Sequence, residues 1–498
     1  MNRRLFVQSS VAAAVAYALP YGRLFALDQA ASQAAGGIPA ITLGGKPTVI
    51  EQAAIKELQA SLRGSLLLAG DAGYDEARRV LNRSIDKRPA LVVQPTGVSD
   101  VRNAVTFARE RELLLAVKCG GHSFGGKSTC DGGMQIDLSR LRGVRVDPVA
   151  RIAWVEGGSL LGEIDHEAMA HGLVTTSGTV SHTGVGGLTL GGGFGRLARR
   201  FGLAIDNLRG VDIVTADGRY LHADADENPE LYWGVRGGGG NFGVVTNFEF
   251  GLHPMRREIV GGDIVFPIDR ARELLEFYAN FSGTAPAELY VDAIMSATPG
   301  GKPGVFVLSA CYSGPAGDAE RVLAPIRKLG KPIADSIRPI DYVAAQRMHD
   351  EADPRNIGTY LKSGFIGDFK GSLIDAITAG FQGHTERSTM LFFQHGGAAI
   401  GKVAADATAF PHRYAKHNML TLVSWPLELD RTPHVDYLRG LWATLEPHAR
   451  GYYMNEVADE AQAIVDDNYQ GNLPRMREVK KKYDPMNLFR LNANVQPA

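Results

Sequence analysis

Three cysteines in 498 residues, Cys119, Cys130 and Cys311, are too few and too odd in number for a disulfide framework. A single bridge, such as Cys119 to Cys130, is open on arithmetic alone. The expectation is instead that each is a small buried hydrophobic residue. Neither charge is in excess: 53 Lys and Arg stand against 54 Asp and Glu, a formal net charge of -1. So close a balance gives no electrostatic reason to expect nucleic acid or an anionic membrane as a partner. No apolar run is long enough to span a bilayer. There is no internal repeat and no low-complexity segment, and no metal site is expected.

What is present is a soluble globular composition, 45% hydrophobic and 21% charged, in a chain long enough for two or three domains. At the N-terminus, Asn2-Arg3-Arg4-Leu5-Phe6-Val7 precedes a short apolar stretch from Val11 to Leu19. Twin arginines before a weakly apolar run read as a Tat export signal. Residues 1–34 are therefore expected to be a leader, and the protein periplasmic or secreted. Tat moves folded proteins, which suits a chain that takes up a cofactor before export.

Glycine is plentiful, 59 residues, clustered at 119–133, 184–195 and 234–243. Clustered glycine marks backbone pressed close to a ligand. Between ~88 and 250 short strands and helices alternate around these clusters. Ala90-Leu91-Val92-Val93 reads as a buried strand. A helix capped by Ser99 or Asp100 follows, with Val101, Val105 and Ala108 on one face. Leu113 to Val117 is a second strand, and Met134 to Leu138 alternates like a half-buried one. Ala153-Trp154-Val155 is another, followed by a helix from Leu161 to Ala170. Asp217-Gly218 between Val211–Val214 and Tyr220-Leu221 signals a hairpin. After Pro254 come strand-like runs at Ile264–Phe266, Leu289–Ile294 and Val305–Ala310. Amphipathic helices start at Asp269 (Leu274, Leu275, Tyr278, Phe281) and Asp318 (Val322, Leu323, Ile326). That pattern predicts an antiparallel sheet with helices on one face.

Gly121-His122-Ser123-Phe124-Gly125-Gly126-Lys127-Ser128 fits the P-loop letters. A P-loop, however, needs a helix beginning at its Lys-Ser, and Gly132-Gly133 follow almost at once. Gly184 to Gly195 resembles a dinucleotide fingerprint but lies deep in the chain and is expected to run on into glycine rather than a helix. A ligand-free turn is the third reading. The fourth is a cradle of backbone N–H groups around a pyrophosphate. His122 stands out among the histidines because glycines flank it just past a strand end.

Together these segments resemble the FAD-linked oxidases of the vanillyl alcohol oxidase superfamily, specifically the berberine bridge enzyme-like group. Pro89 to Pro95 is similar to the family's first strand, and Cys119-Gly120-Gly121-His122-Ser123 to its flavin-attachment loop. Ser177-Gly178-Thr179 through Gly193-Phe194-Gly195 is similar to its pyrophosphate and isoalloxazine loop, and Gly202 to Leu208 follows in order. Trp233 to Gly243 is the most specific string. Tyr453-Met454-Asn455 and Tyr483-Asp484-Pro485-Met486-Asn487-Leu488-Phe489 resemble the closing signature.

The resemblance implies an α+β fold. Residues 35–255, joined by 455–498, would form a two-part FAD-binding domain, and 256–454 a substrate domain whose antiparallel sheet roofs the flavin. It implies a covalent bond from His122 to the flavin 8α-methyl carbon. Further cofactor contacts are implied at Gly120, Gly121, Ser123, Thr179, Val180, Thr183, Gly184, Gly186, Gly187, Gly192, Gly193, Asp206, Asn207, Gly240, Val245, Asn492 and Asn494. Three departures matter. Val180 stands where many relatives carry the cysteine of a second flavin bond, so a single bond is expected. Leu188 replaces a histidine frequent in plant relatives. Glu456 follows Asn455 where those relatives have a catalytic tyrosine, so Glu456 is the expected base, with Tyr453 and His395 in reserve. The implied reaction passes hydride from a small-molecule substrate to FAD, with a sugar or other alcohol first and an amine or N-heterocycle second. Dioxygen is reduced to hydrogen peroxide, or another acceptor is used by a dehydrogenase.

Overall fold

The computed structural model describes residues 36–301, 303–350, 357–456 and 460–498; the leader expected at 1–34 lies outside them. Short branched-apolar runs build the first sheet. β1 (Ser65–Leu68), β2 (Leu91–Gln94), β3 (Leu115–Lys118) and β4 (Met134–Asp137) lie in the order β1-β2-β4-β3, with β4 parallel to both neighbours. The half-buried alternation expected at 134–138 does not form. Every residue of β4 is buried, because an inner parallel strand is covered on both faces. α1 (Val98–Glu110) packs Val101, Val105 and Ala108 into this core. Asp100 does not cap α1. Its carboxylate accepts N–H groups of Arg63, Gly64 and Thr96 and so ties the approach to β1 against that of α1.

A five-stranded antiparallel sheet follows: β5 (Val144–Asp147), β6 (Ile152–Glu156), β7 (Leu208–Thr215), β8 (Tyr220–Asp224) and β9 (Gly243–Gly251), in the order β8-β7-β9-β6-β5. The β7–β8 hairpin turns where expected, and Gly218 takes the left-handed φ of +81° that such a turn favours. Between β6 and β7 lie α2 (Leu161–Met169) and a short α3 (Val185–Leu190).

The third sheet has eight strands, all antiparallel. These are β10 (Glu258–Pro267), β11 (Leu289–Ala297), β12 (Val305–Tyr312), β13 (Ala334–Asp335), β14 (Arg338–Asp341), β15 (Ile357–Ile366), β16 (Ser388–His395) and β17 (His417–Pro426). Their order is β13-β10-β12-β11-β16-β17-β15, with β14 also paired to β10. Side chains alternate between its faces. Val291, Leu308, Leu391, Phe393 and Val423 meet α4 (Ala271–Thr284), α5 (Ala319–Arg327), α6 (Gly371–Gly380) and α7 (Thr432–Leu445) in the largest core. On the other face Tyr290 and Cys311 pack against Met169, Val174 and Leu197 of the first half. The α+β class, with helices on one face of an antiparallel sheet, is as the sequence predicts. Cys119, Cys130 and Cys311 all carry free thiols. Among the described residues no helix is long and apolar enough to cross a membrane, and no cluster of three or more His, Cys, Asp or Glu could hold a metal ion.

The end of the chain returns to the first half. α8 (Leu473–Tyr483) buries Met476, Val479 and Tyr483 with Val235 and Phe242, while Leu488 and Phe489 enter the core of the first sheet. The closing signature has a physical reason. The Asp484 carboxylate accepts N–H groups of Leu488 (2.7 Å) and Phe489 (2.8 Å) and pairs with Lys480 at 2.7 Å, neither side chain being exposed. Lys480 also donates to the carbonyls of Asn241 (2.7 Å) and Phe489 (3.0 Å), stapling the tail to the glycine-rich loop before β9. Lys480→Met keeps the volume but strands a buried carboxylate. It is expected to cost about 3–5 kcal/mol, read as a lowered urea midpoint. A loss under about 1 kcal/mol, the scale of an exposed ion pair, would show that this pair does not hold the tail.

Candidate active site

The glycine loops of the first half, the sheet face not covered by helices and the returning tail enclose a cavity of about 410 Å³, within the range of about 300–1,000 Å³ usual for small-molecule sites. Residues 119–128, just past β3, form one wall, and 178–190 with α3 another. Gly239, Gly240 and the start of β9 form a third. Phe392 and Gln394 of β16 and Leu420 of β17 form the roof; Tyr453 to Glu456 and Asn492 complete the enclosure.

The glycines serve two different ends. A Cβ on Gly120 would overlap the backbone nitrogen of Gly184, so these two loops touch main chain to main chain. At Gly187 a Cβ would meet nothing within 4 Å, and at Gly240 only Asn492 Nδ2 at 4.0 Å. Side chains there would project into the cavity, so the two glycines keep open a channel for a bound group. The Oδ1 of Asn492, at the same place, is buried without a partner. This bare, glycine-edged channel fits a dinucleotide-sized cofactor. The glycine run does form a helix, contrary to the sequence reading: α3 starts after Gly184 and stops at Gly191, where a Cβ would overlap the Asn455 side chain. The P-loop letters at 121–128 open no helix. The chain bends instead at Gly126, with φ of +65°, and the Lys127 N–H returns to Ser123 Oγ at 2.9 Å.

The cavity brings together His122, Gly120, Gly121, Ser123, Thr179, Val180, Thr183, Gly184, Gly186, Gly187, Gly240, Val245 and Asn492. His122 Nε2 lies 2.7 Å from His182 Nδ1, and its Nδ1 lies 3.4 Å from Thr183 Oγ1. Five expected cofactor residues do not reach the cavity. Asp206 gives both carboxylate oxygens to the Arg413 guanidinium, each at 2.8 Å. Asn207 donates to the carbonyls of Phe201 and Leu203 and takes the His253 ring at 2.6 Å, a loop-bracing role. Gly192 packs beneath Phe410 and Tyr453, and the Gly193 N–H donates to the Tyr453 hydroxyl at 3.0 Å. Asn494 is not among the lining residues; its backbone carbonyl takes a hydrogen bond from Gln462.

Among the base candidates the structure separates one from two. Glu456, 8% exposed, lines the cavity, and no arginine or lysine among the described residues pairs with it. Asn418 Nδ2 donates both to Glu456 Oε2 (2.9 Å) and to Gln394 Oε1 (2.8 Å). Burial pushes the Glu456 carboxyl up to about 7, against the lowering by the Asn418 amide. Tyr453 also lines the cavity, but its oxygen accepts N–H groups of Gly193 and Asn455, and burial followed by the Glu456 charge pushes it up to about 12. It braces the wall. His395 is a correction: one residue beyond Gln394, it points to the opposite face of β16. There its Nδ1 accepts the Val291 N–H at 3.2 Å and its Nε2–H donates to the Ser282 carbonyl at 3.0 Å. Phe392, Gln394, Asn418 and Leu420 escaped the sequence reading. Their signal was the same two-residue alternation, which puts them on one face.

The sequence matches the FAD binding domain family over residues 89–224 and the berberine and berberine like family over 452–496. An FAD-linked oxidoreductase of Dictyostelium discoideum is 32% identical over 446 residues, covering 89% of this chain and 97% of that protein. A glucooligosaccharide oxidase of Sarocladium strictum is 29% identical, covering 85% of this chain and 91% of that one. The crystal structure of 6-hydroxy-D-nicotine oxidase from Arthrobacter nicotinovorans superposes with a TM-score of 0.80 at 26% identity, covering 88% of this chain and 99% of that one. The chain belongs to the FAD-linked oxidoreductases of the vanillyl alcohol oxidase superfamily, in the berberine bridge enzyme-like group. Its cofactor is FAD.

Gly187→Leu tests the channel. The glycine has room around it, so the fold should survive by circular dichroism, while flavin content should fall about tenfold or more, a cost of 1.4 kcal/mol or above. Undiminished flavin would place the cofactor elsewhere.

Proposed function

We propose that this protein is an oxidase of a small alcohol, with FAD joined through one bond to His122 and Glu456 as the base that takes the hydroxyl proton. One observation carries the reading: Glu456 is a buried, cation-free carboxyl at the cavity wall, held at about 7. Such a group is part-ionised near neutral pH, and its carboxylate form retains enough basicity to accept a proton. The flavin supplies the hydride acceptor; the protein's share is position and proton handling. The Asn418 amide fixes Glu456 and Gln394 side by side, so one polar edge of the roof faces the substrate. Val180, with no sulfur, leaves His122 as the sole attachment point. Residues 35–255 with 455–498 serve as the FAD-binding part and 256–454 as the substrate part. The twin arginines support Tat export.

The roof also bears on substrate. Phe392 and Leu420 are apolar, and Gln394 is the polar group beside them. A hydroxyl on a mostly apolar body suits this lining better than a sugar with many hydroxyls, although the oligosaccharide oxidase among the relatives supports a sugar. The same lining favours the second reading, an N-heterocyclic amine, of the kind named for the nicotine oxidase.

Glu456→Gln keeps the shape and removes the base. Flavin reduction by substrate should slow by roughly 10²–10⁴ with flavin content unchanged. In the parent protein the rate should climb as pH rises through about 7, because the raised carboxyl ionises there, and the variant should lose that climb. A variant reduced at nearly the parent rate would remove Glu456 from the reaction. The electron acceptor is tested by stopped-flow reoxidation in air, where fast recovery with peroxide release is expected. Reduced flavin that lasts minutes in air yet reacts at once with a quinone would make the protein a dehydrogenase.

A further inference from the structure

We propose that Arg196 is the far end of the substrate site and binds a carboxylate carried by the substrate, so that the alcohol oxidised is a hydroxy acid. The hydroxy-acid class rests on the reading of the protein as an alcohol oxidase; the carboxylate site itself does not.

Arg196 stands apart from the other deeply buried arginines. It is 6% exposed, and its Nε and Nη2 have no hydrogen-bond partner among the described residues. No described carboxylate forms an ion pair with it either. Arg199, three residues on, donates to the carbonyls of Leu289, Ala285 and Gly396. Arg413 holds both oxygens of Asp206, Arg78 pairs with Asp75 and Asp86, and Arg387 lies over the Tyr437 ring at 3.8 Å. A guanidinium taken out of water with neither counter-charge nor acceptor is costly. Nε and Nη2 are also the two nitrogens along one edge of the guanidinium, the edge that takes a carboxylate through two parallel hydrogen bonds.

Arg196 lies beside the flavin cavity. Phe194, two residues earlier, lines it. The Arg196 charge acts on Asp292 and Cys311 of the eight-stranded sheet, on His349 and on Asp165 of α2. Asp292 belongs to the roof. Ile294 of β11 pairs with Phe392, a cavity residue, and strand alternation puts Asp292 on the same face. The Asp292 carboxylate accepts the N–H of His395 at 3.3 Å, so it stands one strand over from Gln394. Across the roof the polar groups therefore run Glu456, Asn418, Gln394, Asp292, with the Arg196 charge beside the last. A substrate with its hydroxyl at Glu456 and its apolar body against Phe392 and Leu420 extends its other end toward Arg196.

The acidic neighbours do not supply the missing counter-charge. Asp165 accepts hydrogen bonds from Ser177 (2.7 Å) and Gln346 (3.1 Å), and Gln346 also donates to the Gly178 carbonyl on the cavity wall. Burial pushes the Asp165 carboxyl up to about 6 and the Asp292 carboxyl up to about 7, the latter against lowering by Tyr290 and Arg196. Asp292 thus takes up a proton readily near neutral pH and can donate it to an arriving carboxylate. A cationic substrate would meet the Arg196 charge, and a neutral one would leave that charge unpaired. An anionic end group is the chemistry that completes the site.

The test reads binding rather than turnover. Oxidised holoprotein is titrated with benzoate, phenylacetate and 3-phenylpropionate, each against its amide, and the change in flavin absorbance is followed. At least one acid is expected to bind about thirtyfold or more tighter than its amide. Arg196→Met should erase that preference and Arg196→Lys should keep part of it. Because Arg196 lacks a partner in the free protein, Arg196→Met should leave the urea midpoint unchanged or raise it. The proposal is overturned if no acid binds better than its amide, or if the preference survives in Arg196→Met. A lowered urea midpoint, or a variant that fails to fold, overturns it as well, since the guanidinium would then already have its partners within the protein. Anaerobic mixing with mandelate, 4-(hydroxymethyl)benzoate and benzyl alcohol separates the two readings. If the acids bind through Arg196 but no alcohol bleaches the flavin, the alcohol-oxidase reading falls with the hydroxy-acid class, and the carboxylate site stands. If benzyl alcohol bleaches the flavin as fast as the acids do, in parent and Arg196→Met alike, this proposal falls alone.

Discussion

The main-chain contact between Gly120 and Gly184 is the constraint on which the site depends. Neither loop could approach the other if either residue carried a side chain. The contact presents His122 on one side of the seam and His182 and Thr183 on the other, within hydrogen-bond reach. It also fixes where α3 begins, and α3 in turn positions Gly187 on the channel and brings Leu188 and Gly191 against Asn455. One sterically enforced point thus sets the cofactor wall and, through Asn455 and Tyr453, the first part of the wall that carries Glu456.

The wall that carries Glu456 depends equally on a neutral donor. A lysine or arginine beside Glu456 would hold its carboxyl ionised at low pH and make it a poor base. The Asn418 amide orients the same oxygen with a single N–H while burial raises the proton affinity. Orientation and basicity are thereby supplied by different sources, the amide and the low-dielectric surroundings.

Much of this was legible in the sequence because its causes are local. Glycine clusters, strand-end positions and the Asp217-Gly218 turn each carry their meaning within a few residues. The order of strings from Trp233 to Phe489 did the rest for the family. What stayed hidden was set by partners far along the chain. Asp206 looked like a ligand contact until Arg413, more than two hundred residues away, took both its oxygens. His395 is a reserve base candidate by its chemistry, yet a strand's alternation puts its neighbour Gln394, and not His395, on the cavity. That choice turns on which face of the sheet the helices cover, and no single strand records it. The full burial of Met134–Asp137 was missed for the same reason.

The tail stapled by Lys480 and Asp484 has a consequence for the order in which the protein becomes itself. Residues 453–456 and 492 reach the cavity only from the last tenth of the chain, and the staple joins that segment to the loop ahead of β9. On the ribosome, every earlier strand can pair while the cavity still lacks a wall. The cavity closes only once this segment has docked, so a chain that lacks it has neither Glu456 nor a closed cavity wall. Docking of this segment, rather than a separate switch, becomes the first checkpoint on when the cavity can close around a flavin.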